Sequence, residues 1–417
     1  LSSAAGFTYE FSAPARIVFG WGHRSEAGDL ARSLGRRAFV VCGSRTLERN
    51  GGLDDVLQSL RKAGVETVPA GTITHEPLVE DVDRCVALLR DRRAADGDLV
   101  LGIGGGSAID LAKAAAALIT QETRASVVDY LEGVGKGLKI VNTPLPVLAM
   151  PTTGGTGSEA TRNAVISSRE PPFKKSLRSE QMVPRIVLVD PELAVSVPPQ
   201  VTAWTGMDAI TQLLESYICR RATRATQDIA WSGLGFAVPN LVEACRNGAS
   251  RPAREGLAQG ALLSGIALAN SGLGMAHGVA AALGIHADVP HGLACAVMLP
   301  VALQVNRIQP GVEAQLARAG WAMLHPEVST FDPREVTGSP EELRDYARAS
   351  ISERVDQVLW RIETLLVELK IPRRLSKLGV RSDQIPAIVR DSRGNSMNGN
   401  PRALSDDELT RILEDLL

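Results

Sequence analysis

The residues whose types and spacing could do chemistry lie in two groups. The stretch from Gly274 to His291 reads Gly-Met-Ala-His-Gly-Val-Ala-Ala-Ala-Leu-Gly-Ile-His-Ala-Asp-Val-Pro-His. It holds three of the chain's six histidines, His277, His286 and His291. A small-residue helix from Met275 to Leu283 would carry His277, and Pro290 ends a short connection with His291 just past it. Two imidazoles from a helix and a following turn can converge on one point, and neutral imidazole is the commonest side-chain metal ligand. Upstream, Asp208 and Gln212 stand at i and i+4 in Gly206-Met-Asp-Ala-Ile-Thr-Gln-Leu-Leu-Glu-Ser-Tyr217, a spacing that puts both side chains on one helix face. A carboxylate with two imidazoles makes a divalent-cation shell with an open position for substrate. Plainer readings stay open at this level. The histidines could be satisfied in the core or at the surface, and Asp208 could serve only the first turn of its helix.

The second group is glycine-rich. Asp98-Leu-Val-Leu-Gly-Ile103 reads as a strand, Gly104-Gly-Gly-Ser107 as a tight turn, and Ala108 to Leu118 as a helix. Glycine lets the backbone turn and a ligand approach closely, and a helix N-terminus offers free N–H groups and the positive end of a dipole. That is a cradle for an anion, phosphate above all. The GxxxxGK[ST] pattern of a Walker loop is absent, and the third glycine of GxGxxG is missing. A second loop, Pro151-Thr-Thr-Gly-Gly-Thr-Gly-Ser-Glu159, follows the strand Leu145 to Met150. Two such loops past strand C-terminal ends mark the edge where α/β sheets bind nucleotides. Lys174, in Phe-Lys-Lys-Ser-Leu-Arg-Ser179, is placed where a cation could reach ribose or phosphate, or could simply be solvated.

The elements that must position these groups differ between the halves. Strand-like runs at Arg16 to Gly20, Arg37 to Cys42, Glu66 to Ala70, Asp98 to Ile103, Leu145 to Met150 and Ile186 to Pro191 alternate with helical patterns at Ser25 to Leu34, Leu53 to Ala63 and Val79 to Arg93. That alternation predicts a parallel sheet with crossover helices. Val197-Pro-Pro-Gln200 breaks the pattern, and helical periodicity dominates after it: Asp208 to Arg221, Thr226 to Arg246, Arg254 to Asn270, Leu293 to Asn306, Val312 to Met323 and Ser339 to Leu369. Pro326 to Pro340 is polar and proline-bearing and reads as an exposed excursion. The chain therefore divides into an α/β domain (1–195) and an all-α domain (196–417), as its 417 residues suggest.

Composition narrows the function. A net charge of −2 argues against nucleic acid or an anionic membrane as the main partner. Cys42, Cys85, Cys219, Cys245 and Cys295 are scattered and odd in number, which suits free thiols in a reducing cytoplasm. No run reaches the ~18 apolar residues of a membrane span.

Together these landmarks resemble the iron-containing (group III) alcohol dehydrogenase family, within the dehydroquinate synthase-like fold. The resemblance rests on Gly104-Gly-Gly-Ser-Ala-Ile-Asp-Leu-Ala-Lys113, Pro151 to Glu159, Val189-Asp-Pro191, Gly206-Met-Asp-Ala209, Gly272-Leu-Gly-Met-Ala-His277 and Pro290-His-Gly292, in the family's order from about residue 16 onward. It implies an N-terminal dinucleotide-binding α/β domain, an all-α C-terminal domain, a metal in the cleft between them, NAD(P)-linked interconversion of an alcohol and an aldehyde, and a homodimer. Carried over by position, the coenzyme contacts fall on Gly105, Gly106, Ser107, Asp110, Thr152, Thr153, Thr161, Asn163 and Lys174, and the metal ligands on Asp208, Gln212, His277 and His291. Asp208, His277 and His291 would then be catalytic.

Two departures bear on the chemistry. The family's second ligand is histidine and is Gln212 here, a harder and weaker donor. Bound Fe²⁺ or Zn²⁺ is therefore expected to be held more weakly. A histidine common four residues after His277 is Ala281. The turn after the second strand, Cys42-Gly43-Ser44-Arg45, lacks the acid that holds an NAD ribose, which tilts the expectation from NAD toward NADP(H), with Gly43 and Ser44 against the coenzyme. Two alternatives remain at this level: a metal-independent oxo-acid reductase like the maleylacetate reductases, and a dehydroquinate synthase-like lyase with no net coenzyme turnover.

Overall fold

The computed structural model describes residues 8–43, 45–324, 345–346 and 348–417. Six strands form one parallel sheet: β1 (Arg16–Phe19), β2 (Arg37–Cys42), β3 (Glu66–Thr72), β4 (Asp98–Gly104), β5 (Val147–Pro151) and, after a hairpin, β8 (Ile186–Val189), in the order β1-β8-β5-β4-β2-β3. Helices α1 (Ala27–Leu34), α2 (Arg45–Arg49), α3 (Gly52–Lys62), α4 (Val79–Asp91) and α5 (Gly106–Leu118) flank it. The strands carry apolar side chains on both faces because both faces are covered. Leu99, Leu101 and Ile103 pack with Leu30, Val56 and Leu60 of α1 and α3. Val100 belongs to the opposite core with Val82 of α4 and Ile109 of α5.

The sequence reading missed a hairpin. β6 (Asn163–Arg169) and β7 (Pro172–Arg178) pair antiparallel from Asn163↔Arg178 to Arg169↔Pro172. Their alternation is short and rich in Ser, Lys and Arg, because only Ala164, Ile166, Phe173 and Leu177 are buried, against the core beside α4 and α5. Lys174 is therefore on a strand.

The second half is helical, as expected: α6 (Pro199–Ile218), α7 (Arg224–Arg246), α8 (Arg251–Asn270), α9 (Met275–Ala287), α10 (His291–Asn306), α11 (Val312–Leu324), α12 (Ile351–Glu368), α13 (Ile385–Asp391) and α14 (Asp406–Asp415). The proline pair read as a break is a helix start. Pro198 caps α6 and Pro199 is its first residue, where a missing N–H costs nothing. α6 thus begins nine residues before Asp208 and puts that residue mid-helix, not in a first turn. His291 likewise opens α10, so the second imidazole also comes from a helix. The excursion at 326–340 and the start of the 339–369 pattern lie outside the described residues. Among the described residues no single helix is long and apolar enough to cross a membrane.

Candidate metal centre

Three helices bring the site together. Asp208, Gln212 and Glu215 occupy one face of α6 over two turns, and all three are buried. Glu215 carries the next layer. Its carboxylate accepts the backbone N–H groups of Gly274 (3.0 Å), Ala276 (2.6 Å) and His277 (3.3 Å), closing the N-terminus of α9, where an anion is favoured. It also accepts the Nδ1–H of His277 at 2.7 Å. That bond places a proton on Nδ1 and orients the ring, so that Nε2 becomes a lone-pair donor once a bound cation displaces its own proton. Nε2 faces Asp208 Oδ1 at 3.1 Å.

His291 comes in from α10. Gly292 lets the start of that helix lie against α6, since a Cβ there would sit 2.4 Å from the Trp204 carbonyl oxygen. The two imidazole rings are 5.6 Å apart, edge to face at 61°. His291 Nε2 is 4.0 Å from Asp208 Oδ1 and 3.7 Å from Cys295 Sγ, while its Nδ1 is buried with no hydrogen-bond partner among the described residues. One donor atom each from Asp208, His277, His291 and Cys295 lie within 4.8 Å of one another.

The electrostatics suit a cation. Burial would lift the Asp208 carboxyl, but the hydrogen bond from His277 and the two imidazoles hold it below the usual carboxylate range. Burial works against a charged His277, yet Cys295, Asp208 and Glu215 around it raise its pKa well above the ordinary value. Burial and then the nearby Lys174 ammonium lower His291 to about 4, so it offers a neutral lone pair. Burial pushes the Cys295 thiol up to about 12. A divalent ion with bonds of about 2.0–2.3 Å in a tetrahedral shell sets its donors roughly 3.3–3.8 Å apart. Three of the six pairs here are 3.1, 3.7 and 4.0 Å apart and all six lie within 4.8 Å, so small shifts of the side chains would let the residues present hold such an ion.

Two sequence candidates make hydrogen bonds outside this cluster. The Gln212 amide oxygen accepts Ser264 Oγ of α8 at 2.6 Å, and its Nε2 donates to the Thr156 carbonyl at 3.3 Å. It ties the second glycine loop to two helices. His286 is turned away, with Nε2 on Asp391 at 2.6 Å.

The glycine loops lie at the sheet's switch point. β3 and β4 fall on opposite sides of β2, so the chain reverses direction across the sheet there, and such a reversal opens a crevice at the strand C-terminal ends. Gly43 donates to the Ile103 carbonyl at 2.7 Å, and a Cβ on Gly104 would come 2.7 Å from Gly43 Cα. The notch is floored by backbone alone. Gly105 caps α5, and Gly106 and Ser107 form its first turn, whose N–H groups helix geometry leaves unpaired. Thr153 packs on Gly105 and Thr156 over Gly106, and Thr152 donates to the Gly104 carbonyl at 2.9 Å.

Asp110, Thr161 and Asn163 form the frame beneath. Asp110 accepts Ser158 Oγ and the Val165 N–H (2.9 Å), and pairs with Lys113 at 3.1 Å. The wholly buried Lys113 ammonium also donates to Thr161 Oγ1 (2.9 Å), the Ser158 carbonyl (2.7 Å) and the Asn163 carbonyl. Lys174 is paired with Glu76 at 2.5 Å. Ser44 and the Arg45 side chain lie outside the description.

Two family models match the chain: iron-containing alcohol dehydrogenase over residues 14–191, and the C-terminal domain of the Fe-containing alcohol dehydrogenase family over residues 202–417. The chain belongs to the iron-containing alcohol dehydrogenase family. It is 36% identical over 292 residues to long-chain-alcohol dehydrogenase 1 of Geobacillus thermodenitrificans, covering 69% of this chain and 72% of that one. It is 29% identical over 405 residues to sulfoacetaldehyde reductase of Bilophila wadsworthia, 96% of each. The crystal structure of a 1,3-propanediol oxidoreductase superposes with a TM-score of 0.85 at 28% identity, over 99% of this chain and 100% of that one. This iron-containing alcohol dehydrogenase relative is thus an NAD(P)-dependent alcohol/aldehyde oxidoreductase with a candidate divalent-metal site.

Within the family frame, sequence reasoning missed Glu215 and Cys295. Glu215 stands seven residues after Asp208, and Cys295 four after His291. Both spacings return to the same helix face and could have been read.

Proposed function

We propose that this enzyme interconverts an alcohol and its aldehyde by hydride exchange with NADP(H), at a divalent cation held between α6, α9 and α10. The observation that carries the proposal is the convergence of Asp208, His277 and His291 donor atoms from three helices. When bound, the cation supplies a Lewis acid for the substrate oxygen and the nicotinamide supplies or accepts the hydride. Asp208 contributes the anionic donor, and Glu215 holds His277 in the orientation that presents Nε2. Gly43, Ser44, Gly105, Gly106, Ser107, Thr152 and Thr153 are proposed to meet the coenzyme, with the first turn of α5 taking the diphosphate. Asp110, Thr161 and Asn163 set that turn in place, and Lys174 waits beside the cleft.

Preference for NADP(H) is supported by the turn Cys42-Gly43-Ser44-Arg45, which carries a base and no acid. The division at 195/196 is supported by the two family models, which meet between 191 and 202. Among the described residues β1 is an edge strand, with Ile17 exposed and Tyr9 and Phe11 exposed in the segment leading to it, which supports a homodimer. Five free cysteines, four of them buried, support a cytoplasmic setting. The relatives' names run from long-chain alcohols to sulfoacetaldehyde, so the proposal is for the class of substrate.

The test is coenzyme-linked turnover with a panel of aldehydes, alcohols and oxo-acids, before and after chelation, alongside elemental analysis. Metal-dependent turnover with higher kcat/KM for NADPH than NADH is expected. Full activity after complete metal removal would overturn the Lewis-acid role, and no net coenzyme turnover with any substrate would overturn the reductase.

A further inference from the structure

We infer that Cys295 is a protein ligand of the cation, filling the place left by the imidazole that Gln212 replaces, so that the protein shell is Asp208, His277, His291 and a thiolate, with the substrate oxygen joining as a fifth donor. This rests on the reading of the cleft as a metal centre and deepens it. The first ground is position. His291 and Cys295 stand four apart on α10, and that interval presents both side chains to one point. Cys295 Sγ lies 3.7 Å from His291 Nε2 and within 4.8 Å of a donor atom of Asp208 and of His277. A tetrahedral ion with a sulfur bond of ~2.3 Å and a nitrogen bond of ~2.0 Å sets those two donors roughly 3.5 Å apart. The thiol is 0% exposed.

The second ground is what Gln212 does instead. Its carbonyl oxygen, the only donor an amide could offer a metal, is held by Ser264 at 2.6 Å, and its nitrogen by the Thr156 carbonyl. Turning that amide would cost its bond to the glycine loop, and Cys295 carries no such bond. The Sγ–metal bond forms as the S–H bond breaks, and the proton passes to solvent.

The consequence is a change of metal. A thiolate is a soft donor that selects zinc over iron compared with a shell of imidazole and carboxylate alone. Two anionic donors also neutralise a divalent ion fully. This chain, in a family named for iron, should carry zinc.

The experiment is cobalt substitution. Metal-stripped enzyme is titrated with Co²⁺ and its near-ultraviolet absorption is followed for the thiolate-to-cobalt charge-transfer band. The wild type should bind one cobalt and show the band. C295A and C295S should lose it with unchanged circular dichroism, and bind cobalt more weakly by more than the roughly 10–100-fold that outer partners of a ligand cost. Q212A should keep the band. Cobalt bound in a manner that D208N abolishes, with no band in the wild type or a band surviving in C295A, would overturn the thiolate while sparing the metal centre. Failure of the wild type to bind cobalt, zinc or iron at all would overturn both.

Discussion

Glu215 does two jobs with one carboxylate: it closes the start of α9 and orients His277. Replacing it with glutamine keeps the size, removes the charge and puts an N–H donor among backbone donors. E215Q should lose metal affinity roughly 10–100-fold, measured by competition with a chromophoric chelator, and should melt earlier than the wild type. Glu159, at the end of the second glycine loop, is a different case. Burial lifts its carboxyl to about 7 despite the attraction of Lys113. A raised carboxyl favours the protonated folded state. The stability it lends is full below its unfolded value of about 4.3 and is lost as pH rises through about 7. The loss is on the order of 4 kcal/mol at most. E159Q should therefore flatten the fall in melting temperature across that window and exceed the wild type on its alkaline side, by thermal denaturation at a series of pH values.

At the scale of elements, the nucleotide notch depends on backbones approaching where side chains normally stand. Gly104 is the tightest point: a Cβ there would meet Gly43 Cα at 2.7 Å and Ala108 Cβ at 2.8 Å. G104A must push β4 from β2 or tilt α5 outward. A cost of roughly 1–3 kcal/mol is expected, with a raised KM for coenzyme, because α5's first turn moves with it. Steady-state kinetics beside a denaturant titration separate the two effects. The second loop is confined similarly, since Gly157 adopts φ +61° and the backbones of Gly157 and Gly265 of α8 touch.

Across the whole molecule, the metal site sits where the halves are cross-linked. Gln212 of α6 holds Thr156 of the second loop, and the β7 residue Lys174 acts electrostatically on His291 of α10. The candidate ligands come from three helices of the second half, so a bound ion ties α6, α9 and α10 together. Binding to the native state alone adds RT ln(1 + [L]/Kd), about 2.7 kcal/mol at a hundredfold excess over Kd. Adding Zn²⁺ to stripped enzyme should raise its Tm by several degrees, and D208N should abolish the rise. Calorimetry with and without the ion checks this.

Much of this was legible before any coordinates. The alternation of strand and helix up to residue 195 and the helical remainder followed from hydrophobic periodicity, because both sheet faces and the helix stripes are buried in a regular way. Asp208, His277 and His291 could be marked as one site because rare residue types at helix and turn positions limit the alternatives. The tertiary structure decided the rest. The β6–β7 hairpin escaped because its polar half faces away from the core, leaving too few apolar residues to show a period. Whether Gln212 faces the cation or the loop depends on Ser264 and Thr156, both more than fifty residues away in the chain. Glu215 and Cys295 became part of the site only when three helices met, since a side chain's role depends on what packing places opposite it.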